Sequence, residues 1–93
     1  MKEFNLYIEN TTNDSIIKFV ANTILTDGSF EYKNIEDAVN SQLVQQLFHL
    51  PFIKQVFITA NFIAVERYDI VEWNDVKNEL KQIIERYLNP ASM

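Results

Sequence analysis

The stretch from Ser41 to Val65, SQLVQQLFHLPFIKQVFITANFIAV, fixes an order of helix, turn, strand, tight turn and strand around which the rest must fit. Leu43, Val44, Leu47 and Phe48 recur at helical spacing and can share one buried stripe. Pro51 ends that helix, because its ring removes a backbone donor and pushes the preceding residue out of the α region. Val56 to Ile58 and Phe62 to Val65 are β-branched and aromatic runs separated by Thr59-Ala60-Asn61, the pattern of a hairpin.

Upstream, Phe4, Leu6 and Ile8 alternate with Asn5 and Tyr7, which predicts a first strand with one apolar face. Six polar residues, Asn10 to Ser15, form a loop, and Ile16 to Ala21 returns as an antiparallel second strand. Asp27-Gly28 signals a tight turn, after which Phe30 and Tyr32 fit a short third strand. Asn34 is an N-cap candidate followed by Glu36 and Asp37, whose charges suit a helix start. Ile35, Ala38 and Val39 would lie on a different side of a straight helix from Leu43, Val44, Leu47 and Phe48. A break near Ser41, with Ser41 capping a second helical segment, resolves the conflict.

The last element is a helix from about Glu72 to Leu88, with Trp73, Val76, Leu80, Ile83, Ile84 and Tyr87 on one face. Asp75, Lys77, Glu79, Lys81, Glu85 and Arg86 make its solvated side, and Asn89-Pro90 stops it. The fold class that follows is α+β: a two-layer sandwich with a mostly antiparallel sheet of four to five strands, a broken helix and a long C-terminal helix. Residues 1–89 form a single domain, and residues 90–93 a tail or the start of a linker.

A two-layer sandwich covers one sheet face, so the other should be polar. Here, with Val56, Ile58, Ile63 and Val65 turned to the core, Phe57 and Phe62 fall outside, with Tyr7, Ile16 and Val20. Either the broken helix or the segment from Asn22 to Lys33 folds over that face, or the face is an interaction surface.

The chemistry available is narrow. The chain has no cysteine, which removes disulfides, thiolate metal sites, cysteine nucleophiles and direct cysteine ligation of an iron–sulfur cluster. His49 is the lone imidazole, short of a zinc site or a catalytic triad, and at a helix end it reads as a capping or packing residue. Glu31, Glu36 and Asp37 could draw a hard cation weakly, although helix-start charge accounts for two of them. Lys18, mid-strand among apolar residues, reads as a lysine that snorkels to water. A net charge of −5 opposes nucleic acid and anionic membrane surfaces. No apolar run approaches the roughly 20 residues that a spanning helix needs. The expectation is a cytoplasmic protein that is not an enzyme.

Thr11-Thr12-Asn13-Asp14-Ser15-Ile16-Ile17-Lys18-Phe19 resembles the T-P-N-P-x-x-x-K-F opening of the N-terminal domain of Nfu/NifU-like iron–sulfur scaffold proteins. Ser41, Leu43, Leu47, Phe48, Pro51, Val56-Phe57, Phe62-Ile63 and Val65 look like that domain's S-P-L-x-x-x-L-F-x-x-P-G-V-x-x-V-F-x-x-x-x-F-I-x-V, and Trp73 matches the tryptophan opening its last helix. The likeness runs from about Phe4 to Tyr87. Both prolines of the first motif are replaced, by Thr12 and Asp14; Gln42 stands for the proline after Ser41, and Phe52 for the glycine after Pro51.

The resemblance implies an accessory domain of a cluster scaffold or carrier, in which a Cys-x-x-Cys pair on a separate domain holds the cluster. This chain would bind no cofactor itself, and its partner would be another protein or domain of iron–sulfur assembly, in an oligomeric state left open. Candidate partner-binding residues are Asn13, Lys18, Phe52, Phe57 and Phe62, with Phe52 expected exposed at its turn and Asn13 also suited to holding its own loop. A freestanding binding module or homodimer using the apolar sheet face is the alternative, and a weak cation-binding protein a third reading.

Overall fold

In the computed structural model, residues 4–89 are described. The order is β1 (Leu6–Asn10), β2 (Ile16–Ala21), β3 (Ser29–Tyr32), a 3₁₀ turn (Ile35–Ala38), α1 (Gln42–Phe48), β4 (Ile53–Thr59), β5 (Phe62–Arg67) and α2 (Trp73–Leu88). The strands form one antiparallel sheet in the order β1-β2-β5-β4-β3. This is the α+β sandwich expected. The tail anticipated over residues 90–93, including Pro90 as a helix stop, lies outside the described residues.

The broken helix follows from its caps. Asn34 Oδ1 accepts from Asp37 N at 3.0 Å while Asp37 Oδ2 accepts from Lys33 N at 3.0 Å, a reciprocal pair that caps the start of the 3₁₀ turn. Ser41 then starts α1, its Oγ accepting from Val44 N at 3.3 Å. The break lets Ala38 and then Leu43, Val44 and Leu47 all reach the core. His49 ends α1 as its C-cap, donating its backbone N–H to Gln45 and Gln46 carbonyls, with its side chain exposed.

Register sets the two faces. Ile17 pairs with Val65 and Phe19 with Ile63, while Val56 pairs with Val65 and Ile58 with Ile63. These side chains face α1 and α2, and nine of the core's large side chains are fully buried, Phe19, Ile17, Leu47, Leu80 and Ile84 among them. Each such burial contributes about 1.5–3 kcal/mol, whereas a surface pair such as the half-buried Lys81–Glu85 at 3.9 Å adds about 0–1 kcal/mol. Packing therefore holds the layers together.

Two details lie beyond the periodicity of the sequence. The β2–β3 connection passes the tip of the β4–β5 hairpin, where Leu25 N and Thr26 N donate to Ala60 O at 2.7 and 3.3 Å. Leu25 consequently packs on the core side. Tyr87, expected on the apolar stripe of α2, is 40% exposed near the end of that helix.

Candidate interaction face

The side of the sheet opposite the helices carries, from edge to edge, Tyr7, Val20, Phe62, Thr59 and Ser29 in one row. The next row is Glu9, Lys18, Ala64, Phe57 and Glu31. None of these side chains belongs to the core cluster, and both α1 and the Leu25 segment pack on the other face. Of the two alternatives raised by the alternation, the covered one is therefore set aside: among the described residues no element lies over this face.

The face is built around two rings. Phe57 and Phe62 sit 6.5 Å apart with their planes tilted by 51°, within the separation at which aromatic rings attract one another. Val20 beside them is buried, and Phe57, Phe62, Ala64 and Ile16 are half-buried. Lys18 does not simply reach for water. Its Nζ lies 4.3 Å from the centroid of Phe62 and 3.8 Å from Glu9 Oε1. The ammonium is held over the ring by an attraction of about 0.5–1 kcal/mol at an exposed site. Polar bonds frame the rest, with Ser29 Oγ and Thr59 Oγ1 2.7 Å apart and Gln55 Nε2 donating to Glu31 Oε2 at 2.7 Å. The arrangement offers an aromatic and aliphatic centre with a charged rim.

Three of the five candidate residues, Lys18, Phe57 and Phe62, thus meet on one surface. Asn13 does not join them. Its Oδ1 accepts from Ser15 N at 2.9 Å and its carbonyl accepts from Ile16 N at 3.0 Å, so it holds the β1–β2 loop. Phe52 requires a correction: it is 7% exposed and part of the core cluster, not an exposed turn residue. Tyr68 N donates to its carbonyl at 2.8 Å, tying this turn to the end of β5 and leaving the ring among core side chains.

The Asn13 loop does meet something else. Thr11, Asn13 and Asp14 line a groove of about 520 Å³ with Arg67, Glu72 and Trp73. Arg67, which the sequence did not single out, is a charged side chain only 9% exposed, paired with Asp69 at 3.2 Å and lying 5.7 Å from the Trp73 ring. Its inward position was available from the alternation Ile63, Val65, Arg67. Arg67 Nε and Trp73 Nε1 are buried without a hydrogen-bond partner among the described residues. Four acidic side chains, Asp14, Asp69, Glu72 and Asp75, surround the one guanidinium or start the helix beside it, which opposes an anion there.

The carboxylates Glu31, Glu36 and Asp37 are committed to Gln55 and to the 3₁₀ turn or exposed. Among the described residues no three His, Asp or Glu side chains converge to hold a metal ion. No helix among them is long and apolar enough to cross a membrane.

Comparison with known proteins agrees with this architecture. The family profile described as "scaffold protein Nfu/NifU N terminal" matches residues 6–91. A NifU-like protein of Schizosaccharomyces pombe is 31% identical over 87 residues, which cover 90% of this chain and 34% of the relative. A protein of Drosophila sechellia, named NFU1 iron-sulfur cluster scaffold homolog, mitochondrial, is 30% identical over 82% of this chain and 28% of its own length. The chain therefore spans about a third of the length of these curated relatives. The solution structure of a NifU-like protein from Saccharomyces cerevisiae superposes with a TM-score of 0.82 at 23% identity, covering 96% of this chain and 82% of that one.

Proposed function

Because this chain belongs to the family of Nfu/NifU scaffold-protein N-terminal domains, we propose that it is a non-catalytic accessory domain of iron–sulfur assembly that works by protein contact. The observation that carries the reading is the uncovered sheet face, where Phe57 and Phe62 form an aromatic pair under Lys18. An aromatic centre inside a charged rim is the composition of protein interfaces, where a few such rings supply most of the binding energy.

The donor set supports contact over ligation. Cluster irons are held by thiolates, and the chain contains no cysteine. The cluster in this reading is cargo on a partner or companion domain bearing a Cys-x-x-Cys pair. Residues 1–89 serve as one interaction domain in this reading. The reading keeps the chain in the cytoplasm; the word mitochondrial in a relative's name describes that relative.

Calorimetric titration of the chain with a cluster-loaded Cys-x-x-Cys domain tests the proposal. Phe62→Lys, at a half-buried position outside the core, should weaken binding at least tenfold, about 1.4 kcal/mol, with an unchanged circular dichroism spectrum. Equal binding by the variant would remove the face from the account. The alternative, a homodimer through the same face, would give concentration-dependent sedimentation that Phe62→Lys abolishes.

A further inference from the structure

The sheet has two edges, and they are not alike. On β1, Leu6 N donates outward to Glu85 Oε2 at 3.4 Å, and Phe4 is bound to Asn89, so α2 and its C-cap hold the start of that edge. On β3, Ser29–Tyr32 pairs with β4 on one side, and among the described residues nothing pairs with the other. Alternate N–H and C=O groups of β3 are therefore presented to whatever lies alongside.

Beneath this edge the helical layer stops short. A cleft of about 280 Å³ opens on the helix side, lined by Leu25, Phe30, Tyr32, Leu43, Ile58 and Tyr87. Phe30 is 49% exposed although its strand neighbour Ile58 packs against the core. Ile24 and Val39 add exposed apolar surface on the segments flanking β3. The same segments, residues 22–40, carry Asp27, Glu31, Glu36 and Asp37, all exposed, against the single base Lys33.

We propose that the free edge of β3 receives an extended segment of a partner protein, apolar at alternate positions and rich in Lys or Arg at the positions between. The backbone of such a segment would continue the sheet. Its apolar side chains would enter the cleft beside Phe30 and Tyr32, and its basic ones would lie towards Glu31 and the strand ends. Charge decides the occupant. A second copy of this chain pairing edge to edge would bring four carboxylates and one lysine, a net −3, against the same, whereas a basic segment meets that charge with opposite sign. This docking edge shares Glu31 with the rim of the aromatic face but uses the opposite, helix-side cleft for its apolar contacts, and it does not depend on the iron–sulfur reading.

The test is an amide-shift titration of the isotopically labelled chain with three capped hexapeptides. These are Lys-Val-Lys-Ile-Lys-Val, the same with Glu for each Lys, and the same with Ser for each Val and Ile. The basic apolar peptide should shift amides of Ser29 to Tyr32 and of the cleft, and the other two should bind at least tenfold more weakly. The exposed double change Glu31→Lys, Glu36→Lys should weaken the basic peptide at least fivefold, as should Phe30→Ser. Phe62→Lys, on the other face, should leave its affinity unchanged. Equal binding of the acidic peptide, shifts centred away from β3, or no shifts at millimolar peptide would overturn the proposal. Shifts of β3 amides with protein concentration alone would overturn it in favour of self-pairing.

Discussion

Ala60 lies at φ 48 in the two-residue turn between Thr59 and Phe62, in left-handed backbone that costs an L side chain roughly 1–2 kcal/mol. Its methyl group is exposed, so removing it forfeits no burial. The bonds Ala60 makes run through its carbonyl, to Leu25 N and Thr26 N, and survive substitution. Ala60→Gly removes the strain but adds freedom to the unfolded chain, worth about 0.5–1 kcal/mol against the fold. The net should be a stabilisation of about 0–1.5 kcal/mol, which at roughly 4–8 °C per kcal/mol for a domain of this size raises Tm by up to roughly 12 °C. Thermal melts and urea titrations of both proteins measure it, and the urea m value should not change. Gly28→Ala is the control. Gly28 has no positive φ, and an added Cβ would meet Phe30 at 3.7 Å, an ordinary contact. That change should be neutral or stabilising by up to about 1 kcal/mol. A lower Tm for Ala60→Gly would refute the assignment of strain to this turn. The turn matters for function because its register places Phe57 and Phe62 on the same face.

Phe52→Ala should cost about 3–5 kcal/mol, read by urea denaturation, because the ring is core and not surface. A cost below about 1 kcal/mol would return Phe52 to the list of contact residues. Asn89→Ala removes two bonds of 2.8 Å, from Phe4 N and to Phe4 O, and should cost about 1–2 kcal/mol while speeding hydrogen exchange near Phe4. Ser41→Ala deletes the α1 cap and should cost about 1 kcal/mol in thermal melts, with the loss traced to α1 amides by hydrogen exchange.

Side-chain periodicity made much of this legible from the sequence. The alternation in Val56 to Ile58 and Phe62 to Val65 gave the correct inward set, since a pleated strand allows only two faces. Two apolar stripes that no straight helix could share located the break that Asn34 and Ser41 cap. What escaped depends on backbone placement. Whether the outer face is covered turns on the path of residues 22–28, which two bonds to Ala60 O decide and no side-chain pattern records. The lone glycine pointed to Asp27-Gly28 as a special turn, yet among the described residues positive φ occurs at Ala60. Phe52 was expected outside because it stands at a turn; a β-bulge between Ile53 and Gln55 breaks the alternation there, and both Phe52 and Ile53 are buried. Arg67 was passed over because a charged residue reads as surface, although its position continues the inward series of Ile63 and Val65.

If this domain works by contact, a cluster-bearing partner touches its outer sheet face. Mapping amide shifts of the labelled chain against a cluster-loaded Cys-x-x-Cys domain addresses that directly. The largest changes should fall on Lys18, Val20, Phe57, Phe62 and Ala64, with the iron remaining on the partner after separation. Shifts that avoid these strands, or iron recovered stoichiometrically with this cysteine-free chain, would contradict it.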